Sequence, residues 1–247
     1  MPTYPPAGTS AEHREALAHR AAWRLEDASA ETILRWAVRT FGSRFAVTSS
    51  MADAVLVDLV ARTAPGTDVL FLDTGYHFTE TITMRDAVAA TYRGRVNLVT
   101  VTPEQTVAQQ DADHGTDLFA SNPDRCCFLR KVLPLDRALA GYDAWGSGLR
   151  RDDSFTRSRT PVVDWDRRNG MVKVNPLARW TQQDVDEYVQ RRGVLTNPLL
   201  DQGFTSVGCF PCTGPAAGAG TPADRRSGRW AGTGKSECGI HDLEVAT

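Results

Sequence analysis

Four of the five cysteines in this 247-residue chain lie in two local groups. Cys126 and Cys127 are adjacent, and two residues separate Cys209 from Cys212. Four thiols arranged in this way commonly form a tetrathiolate site for zinc or for an iron–sulfur cluster. Adjacent cysteines are unusual in structural zinc sites, so the spacing favours a cluster. The alternative is that the first two cysteines are small buried apolar residues of a helix, while the second two form an independent redox pair.

The fifth cysteine, Cys238, stands apart in a C-terminal segment that is too rich in glycine to bury much. We therefore expect an exposed thiol, whose function would be nucleophilic attack as the thiolate. Neighbouring cations such as Arg226 and Arg229 would increase the thiolate fraction. A protonated His241 would act in the same direction, whereas Glu237 would oppose it. The alternative is an incidental cysteine in a tail.

Basic side chains accompany the cysteine segments in a chain whose formal net charge is -2. This net charge gives no global attraction to nucleic acid or anionic lipid, so any anion must bind at a local site. Guanidinium groups match the oxygens of sulfate and phosphate. Each position alone is more often a solvated surface charge, and Arg159 and Arg225 fit that description. The positions are Lys131, Arg150, Arg151, Arg157, Arg159, Arg225, Arg226 and Arg229.

Alternating strands and helices are predicted to position these residues, which implies an open, mostly parallel sheet with helices on both faces, a Rossmann-like α/β fold. A capping-box-like start at Thr181 and Asp184 predicts a further helix that continues through Arg192. The predicted strands cover residues 45–48, 68–72, 96–101, 144–145 and 171–174, and the predicted helices cover residues 52–61, 80–92 and 118–140.

The chain divides into three predicted parts. Residues 1–40 form a helical lead-in with a break near residues 27–29, and residues 41–202 form a nucleotide-binding α/β domain. Residues 203–247 carry the second cysteine pair and a mobile tail, because glycine and proline become dense there, as in Gly218-Ala219-Gly220.

The composition indicates a globular cytoplasmic protein without a membrane partner. Hydrophobic residues make up 41% of the chain, yet no run approaches the ~20 apolar residues that span a bilayer. The N-terminus lacks the basic start and apolar core of a secretory signal. A reducing compartment argues against a disulfide framework, and an odd number of cysteines leaves at least one thiol unpaired in any pairing.

Polar residues follow two of the predicted strands. Ser49 and Ser50 precede a predicted helix, where unpaired backbone N–H groups and the helix dipole favour a phosphate. The alternative is that Ser50 only caps that helix, since no glycine-rich consensus is present. Asp73 follows the next strand, at the edge where open α/β sheets bind ligands, although it also fits an ordinary turn.

Together these segments resemble the adenylyl-sulfate and phosphoadenylyl-sulfate reductases of the adenine-nucleotide α-hydrolase-like group. The resemblance lies in seven segments that occur in the family's order. They are LDTG at residues 72–75, CC with KVLPL within 126–135, WGSGLRR at 145–151, KVNPL at 173–177, GCFPCT at 208–213, GRW at 228–230 and KSECGIH at 235–241.

The resemblance implies one 4Fe-4S cluster, held by the four paired cysteines Cys126, Cys127, Cys209 and Cys212. It implies that Cys238 is the nucleophile and that three cations surround a phosphosulfate. The catalytic candidates are Cys238, Lys131, Arg226, Arg229 and His241. The substrate-binding candidates are Ser49, Ser50, Leu72, Asp73 and Arg157.

The resemblance also indicates the substrate and the reductant. Reductases specific for the 3′-phosphorylated nucleotide generally lack the cluster cysteines, so adenosine 5′-phosphosulfate is expected. Related ATP pyrophosphatases carry Ser-Gly-Gly-x-Asp-Ser where this chain has Ser49-Ser50-Met51-Ala52-Asp53, which disfavours ATP cleavage. Some plant-type relatives carry a fused thioredoxin-like domain, whereas this chain stops nine residues after Cys238, so free thioredoxin is the expected reductant.

The implied activity is thioredoxin-dependent reduction of adenosine 5′-phosphosulfate to sulfite and AMP through an S-sulfonate on Cys238, in sulfate assimilation towards cysteine. Two alternatives stay open. One is a reductase that uses the 3′-phosphorylated nucleotide or both nucleotides. The other is a non-enzymatic, zinc-stabilised module that binds a nucleotide or nucleic acid. Assembly into a homo-oligomer is also left open.

Overall fold

The computed structural model of the chain describes residues 10–216 and 225–241. Within them, six strands form one sheet in the order β3-β2-β1-β4-β6-β5. All neighbouring strands run parallel except β5, which is antiparallel to β6. The predicted open, mostly parallel sheet is therefore confirmed. The strands are β1 (Phe45–Thr48), β2 (Asp68–Leu72), β3 (Asn97–Val101), β4 (Ala144–Gly146), β5 (Val163–Asp166) and β6 (Met171–Val174).

Helices cover both faces of the sheet, as predicted. Side chains alternate between the faces along a strand, so Phe45 and Val47 of β1 join one core while Ala46 joins the other. The described helices are α1 (Ala11–Leu25), α2 (Ala30–Phe41), α3 (Val55–Thr63), α4 (Thr79–Thr91), α5 (Val107–His114), α6 (Leu118–Ser121), α7 (Pro123–Cys127), α8 (Leu133–Leu139) and α9 (Gln182–Arg192). None of them combines the length and apolar character needed to cross a lipid bilayer.

Local capping explains several helix boundaries. The break predicted near residues 27–29 is present because the Ser29 side chain accepts from the N–H of Thr32 and starts α2. The Thr181 and Asp184 capping box starts α9, as predicted. Residues 118–140 are mainly helical, as predicted, but the helix is divided at Asn122, and a π-helical turn over Phe128–Val132 joins α7 to α8.

The described part of the predicted tail packs against the α/β domain. Trp230 is buried, and its backbone N–H donates to the Cys212 carbonyl at 2.9 Å. Arg168, in the turn between β5 and β6, donates to the carbonyls of Gly239 and Ile240 at 2.6 and 3.0 Å. The expected mobile tail is therefore not observed over residues 225–241. The remaining tail segments, 217–224 and 242–247, and residues 1–9 of the predicted lead-in lie outside the described residues.

Candidate functional site

A cleft opens at the carboxyl ends of β1, β2 and β4. The strand order changes direction between β1 and β4, which is where open α/β sheets bind ligands. Loops that follow these strands line the cleft, and residues 225–241 close one side of it. The site residues predicted from the sequence that line it are Ser49, Ser50, Leu72, Lys131, Arg157, Arg226, Arg229, Cys238 and His241.

The loop after β1 is held by a distant segment rather than by a helix cap. The side chain of Asn197 is buried, and its Nδ2 donates to the Met51 carbonyl at 3.1 Å. Asp53 accepts from the N–H of Val55 at 2.9 Å, and α3 begins at Val55. The prediction of a helix from residue 52, and the alternative that Ser50 caps it, are both wrong. Ser50 is left exposed at the cleft.

The turn after β2 places one of its side chains against a cysteine of the second pair. The Asp73 carboxylate accepts from the N–H of Gly75 at 3.0 Å, and Gly75 has a φ of 74°. Asp73 does not line the cleft, so the structure favours the ordinary turn over a substrate contact. The neighbouring Thr74 is buried, with its Oγ1 3.3 Å from the Cys209 Sγ. No feature of the sequence predicts this contact.

The four paired cysteines line one small cavity beside the cleft. Cys126 and Cys127 end α7 at the start of the π-helical turn, and Cys209 directly precedes a 3-10 turn that ends at Cys212. All four are free of disulfide bonds. The predicted convergence of two distant cysteine pairs is thus observed, and an independent Cys209–Cys212 redox pair is not favoured. π-helical turns often occur at functional sites.

The four thiols form a donor set of the kind that iron–sulfur clusters use. Burial raises the pKa of Cys126 to about 12 and that of Cys127 to about 11, so metal binding at these thiols would displace their protons. Among the described residues, no group of three or more metal-binding side chains is arranged to hold one ion. A cluster binds each thiolate at a different iron, which allows wider spacing.

Lys131 lies between the two cavities and lines both of them. It belongs to the π-helical turn and is buried. Burial lowers the pKa of Lys131, but the thiols of Cys209 and Cys238 raise it by more. The side chain therefore stays an ammonium cation next to the cleft.

Cys238 is half-buried in the cleft rather than exposed, which corrects the expectation from the glycine-rich sequence. Burial raises the pKa of its thiol, but Lys131, the N–H of Ile240 and then Arg226 and Arg229 lower it by more. The net pKa is below the ordinary cysteine value. A thiol with a lowered pKa in a cleft has the properties of a nucleophile.

His241 is an aromatic packing partner and not a cation. Its ring stacks on Trp145 with the centroids 5.7 Å apart and 6° between the planes. Burial and the neighbouring Lys173 and Arg157 hold its pKa well below the usual histidine range. The expectation that a protonated His241 supports the thiolate is wrong, because the imidazole is neutral at physiological pH.

Trp230 supports the two tail arginines. The guanidinium carbons of Arg226 and Arg229 lie 5.6 and 4.6 Å from its ring centroid. Arg229 is buried against Gly208, where an added Cβ would lie 2.2 Å from the Arg229 Nη2. Gly208 was not predicted as functional from the sequence. Its small size allows the Arg229 guanidinium to reach the cleft.

Replacing Gly208 with alanine should therefore displace the Arg229 guanidinium and weaken the binding of AMP ~10-fold to ~100-fold, the range for a lost charge-assisted hydrogen bond. Titration calorimetry checks this. Gly234→Ala is the matched control, since nothing lies within 4 Å of a Cβ at that position. Equal AMP affinity in the two variants would contradict the role of Gly208.

The remaining arginines divide between the cleft and the surface. Arg157 is buried at the cleft, whereas Arg159 is exposed, so the structure selects Arg157 of the two. Arg225 lines the cleft, so the interpretation of Arg225 as a solvated surface charge is wrong. Arg150 also lines the cleft. Arg151 forms an ion pair with Glu26 at 2.7 Å and is not part of the cleft lining.

Comparison with known proteins gives consistent matches over most of the chain. The family model described as the phosphoadenosine phosphosulfate reductase domain matches residues 44–215. The adenosine 5′-phosphosulfate reductase of Streptomyces coelicolor is 58% identical over 93% of this chain and 95% of its own length. That of Mycobacteroides abscessus is 55% identical over 92% and 93%. The crystal structure of a phosphoadenylyl-sulfate reductase from Candida auris, a phosphate complex, has 31% identity and a TM-score of 0.68, covering 84% of this chain and 98% of that chain.

Proposed function

The chain belongs to the phosphoadenosine phosphosulfate reductase family, and on this premise we propose how its residues reduce adenosine 5′-phosphosulfate. The enzyme is an oxidoreductase that acts on this nucleotide and releases sulfite and AMP. The observation that carries the mechanism is the position of Cys238, the one cysteine outside the four-cysteine cavity. Its thiol, with a lowered pKa, lies in the same cleft as the cationic side chains of Lys131, Arg226 and Arg229.

The substrate binds through its phosphosulfate and its nucleoside. Lys131, Arg226 and Arg229 neutralise the two negative charges of the phosphosulfate, with guanidinium forks on its oxygens. The nucleoside lies in the cleft against Ser49, Ser50 and Leu72. Charge neutralisation at the bridging oxygen makes AMP a good leaving group.

In the first half-reaction the Cys238 thiolate attacks the sulfur of the phosphosulfate. The sulfur–oxygen bond to the phosphate breaks, AMP leaves with the bonding electron pair, and an S-sulfonate remains on Cys238. Lys131 and the two arginines stabilise the charge that develops on the leaving phosphate. His241, which is neutral, packs beneath the tail on Trp145 and takes no proton.

In the second half-reaction a thiolate of reduced thioredoxin attacks the Cys238 sulfur and expels sulfite. The resulting mixed disulfide is resolved by the second thioredoxin thiol, which regenerates Cys238 and oxidises thioredoxin by two electrons. An external dithiol is required because the other four cysteines line the separate cavity. A reducing compartment such as the cytoplasm is consistent with five free thiols.

We further propose that the four paired cysteines hold one 4Fe-4S cluster. When bound, the cluster contributes structural cross-linking and local electrostatics beside Lys131. The support is the four-thiol cavity, which has a donor set suited to iron–sulfur ligation. Neither half-reaction requires electrons from it.

The nearest alternative is use of the 3′-phosphorylated nucleotide. The support for this alternative is that the solved relative from Candida auris is a phosphoadenylyl-sulfate reductase. The four cysteines and the relatives at 58% and 55% identity support the substrate that lacks a 3′-phosphate.

Anaerobic assays with reduced thioredoxin should therefore give a kcat/KM for adenosine 5′-phosphosulfate at least ~10-fold above that for the 3′-phosphorylated nucleotide, because an extra charged group lowers transition-state binding in a site not built for it. Sulfite and AMP release are measured in parallel. Equal specificity constants would establish a dual-specificity reductase, and no sulfite from either nucleotide would refute the proposed function.

A further inference from the structure

Glu237 precedes the nucleophile directly, and its carboxylate is enclosed by donors. Arg157 donates to it twice, from Nε to Oε1 and from Nη2 to Oε2, both at 2.8 Å. Thr156 Oγ1 donates to Oε1 at 3.2 Å, and Arg226 Nη2 donates to Oε2 at 3.2 Å. The side chains of Glu237 and Arg157 are only 15% and 9% exposed, so solvent screens this bidentate pair weakly.

Arg157 is itself fixed to the body of the domain. Its Nη1 pairs with Asp153 at 3.2 Å, and Asp153 pairs with Arg150 Nη2 at 2.8 Å. This row of alternating charges runs from the loop after β4 to the tail. Both edges of the Arg157 guanidinium therefore contact carboxylates of this chain, which differs from the nucleotide-binding role predicted from the sequence.

The geometry points to Glu237 as a positioning residue that docks residues 235–241 on Arg157 and so holds the Cys238 sulfur in the cleft. This inference rests on the proposed function. Because Glu237 and Cys238 are adjacent, a fixed carboxylate leaves the thiol little freedom to move along the cleft. Accurate placement of a nucleophile is a large part of its reactivity.

The arrangement also explains how a carboxylate is tolerated next to a thiolate. An unpaired Glu237 would disfavour the charged form of Cys238, as the sequence suggested. Its pairing with Arg157 and Arg226 neutralises that effect, and burial in a polar network compensates its lost hydration. Arg226 makes the longer of these contacts, so it can turn to the phosphosulfate while Arg157 keeps the tail docked.

The test separates nucleophile placement from nucleotide binding. Glu237→Gln keeps the side-chain shape but loses the charge, and it should slow single-turnover formation of the S-sulfonate at saturating substrate ~10-fold to ~100-fold. The dissociation constant for AMP should stay within about threefold. Glu237→Asp, which keeps the charge, should recover part of the rate. Rapid quenching with intact-protein mass spectrometry gives the rate, and calorimetry gives the AMP affinity.

Arg157→Lys replaces the guanidinium fork with a point charge, and it should likewise slow S-sulfonate formation while AMP affinity changes little. The variant that combines Glu237→Gln with Arg157→Lys should form the S-sulfonate at a rate within about threefold of the slower single variant. If Glu237→Gln does not retain its iron and its AMP binding, Arg157→Lys alone is used for the test. An unchanged rate, a proportional loss of AMP affinity, or AMP binding at least about tenfold tighter in Glu237→Gln would overturn the inference. If the unsubstituted enzyme formed no S-sulfonate, the proposed function itself would fail.

Discussion

Replacing Cys238 with serine should lower turnover at least ~1000-fold, because a serine hydroxyl is a far weaker nucleophile than a thiolate at neutral pH. The unsubstituted enzyme, given substrate but no thioredoxin, should release AMP once and gain about 80 Da, the mass of one sulfonate, since covalent catalysis divides the reaction in two. The serine variant should gain no mass. Intact-protein mass spectrometry with peptide mapping measures both outcomes.

The serine variant should otherwise resemble the parent. Cys238 lies outside the four-cysteine cavity, so iron content and AMP affinity should change little. Ser236→Ala is a suitable control, because Ser236 is exposed and two residues away. A stable adduct on one of the other cysteines, or normal turnover by the serine variant, would overturn the mechanism.

Replacing Cys209 with serine should remove most of the bound iron and sulfide and lower the midpoint of thermal unfolding. Cys209 is buried, lies 3.3 Å from the Thr74 hydroxyl, and reaches the cavity from a segment far from Cys126 in sequence. Metal binding at such a site contributes to folding free energy, so loss of one ligand loosens both segments. Turnover should fall at least ~100-fold, because Lys131 is positioned beside the same cavity.

Anaerobic iron and sulfide analysis, visible absorbance and calorimetry check this result. The Cys238→Ser variant serves as the matched control, since it changes the same residue type outside the cavity. Full iron content in Cys209→Ser would contradict the ligand assignment. A colourless protein that contains zinc instead of iron would support the zinc alternative.

Much of the sheet was predictable because buried parallel strands are short apolar runs that end in polar turns. The runs at 45–48, 68–72 and 171–174 match β1, β2 and β6. Strand β5 was missed because Val163–Asp166 has only four residues, too few for its apolar–acidic alternation to identify an edge strand. The start of α3 was misplaced because a distant residue, Asn197, holds the preceding loop.

The residues that could carry chemistry were predictable from the sequence, but their protonation states and contact partners were not. Cysteine spacing indicated the four-thiol cavity, and basic residues near the cysteines indicated the cationic cleft. The neutral state of His241 depends on stacking against Trp145, and the partner of Glu237 lies 80 residues away at Arg157. Such contacts arise from tertiary packing, which local composition does not encode. For the same reason the glycine content predicts mobility over residues 225–241, although the buried Trp230 packs this part of the tail against the domain.

The π-helical turn at Phe128–Val132 limits how the length of this segment can change. An α-helix rotates by about 100° per residue, so a deletion that restored regular helix would turn all following side chains relative to the preceding ones. Cys126 and Cys127 before the turn face the cavity, while Leu135 and Leu139 after it pack against the sheet. A single deletion would then misalign one set with its partners. Insertions or deletions of one residue in this turn are therefore expected to disrupt either the cysteine cavity or the packing of α8 on the sheet.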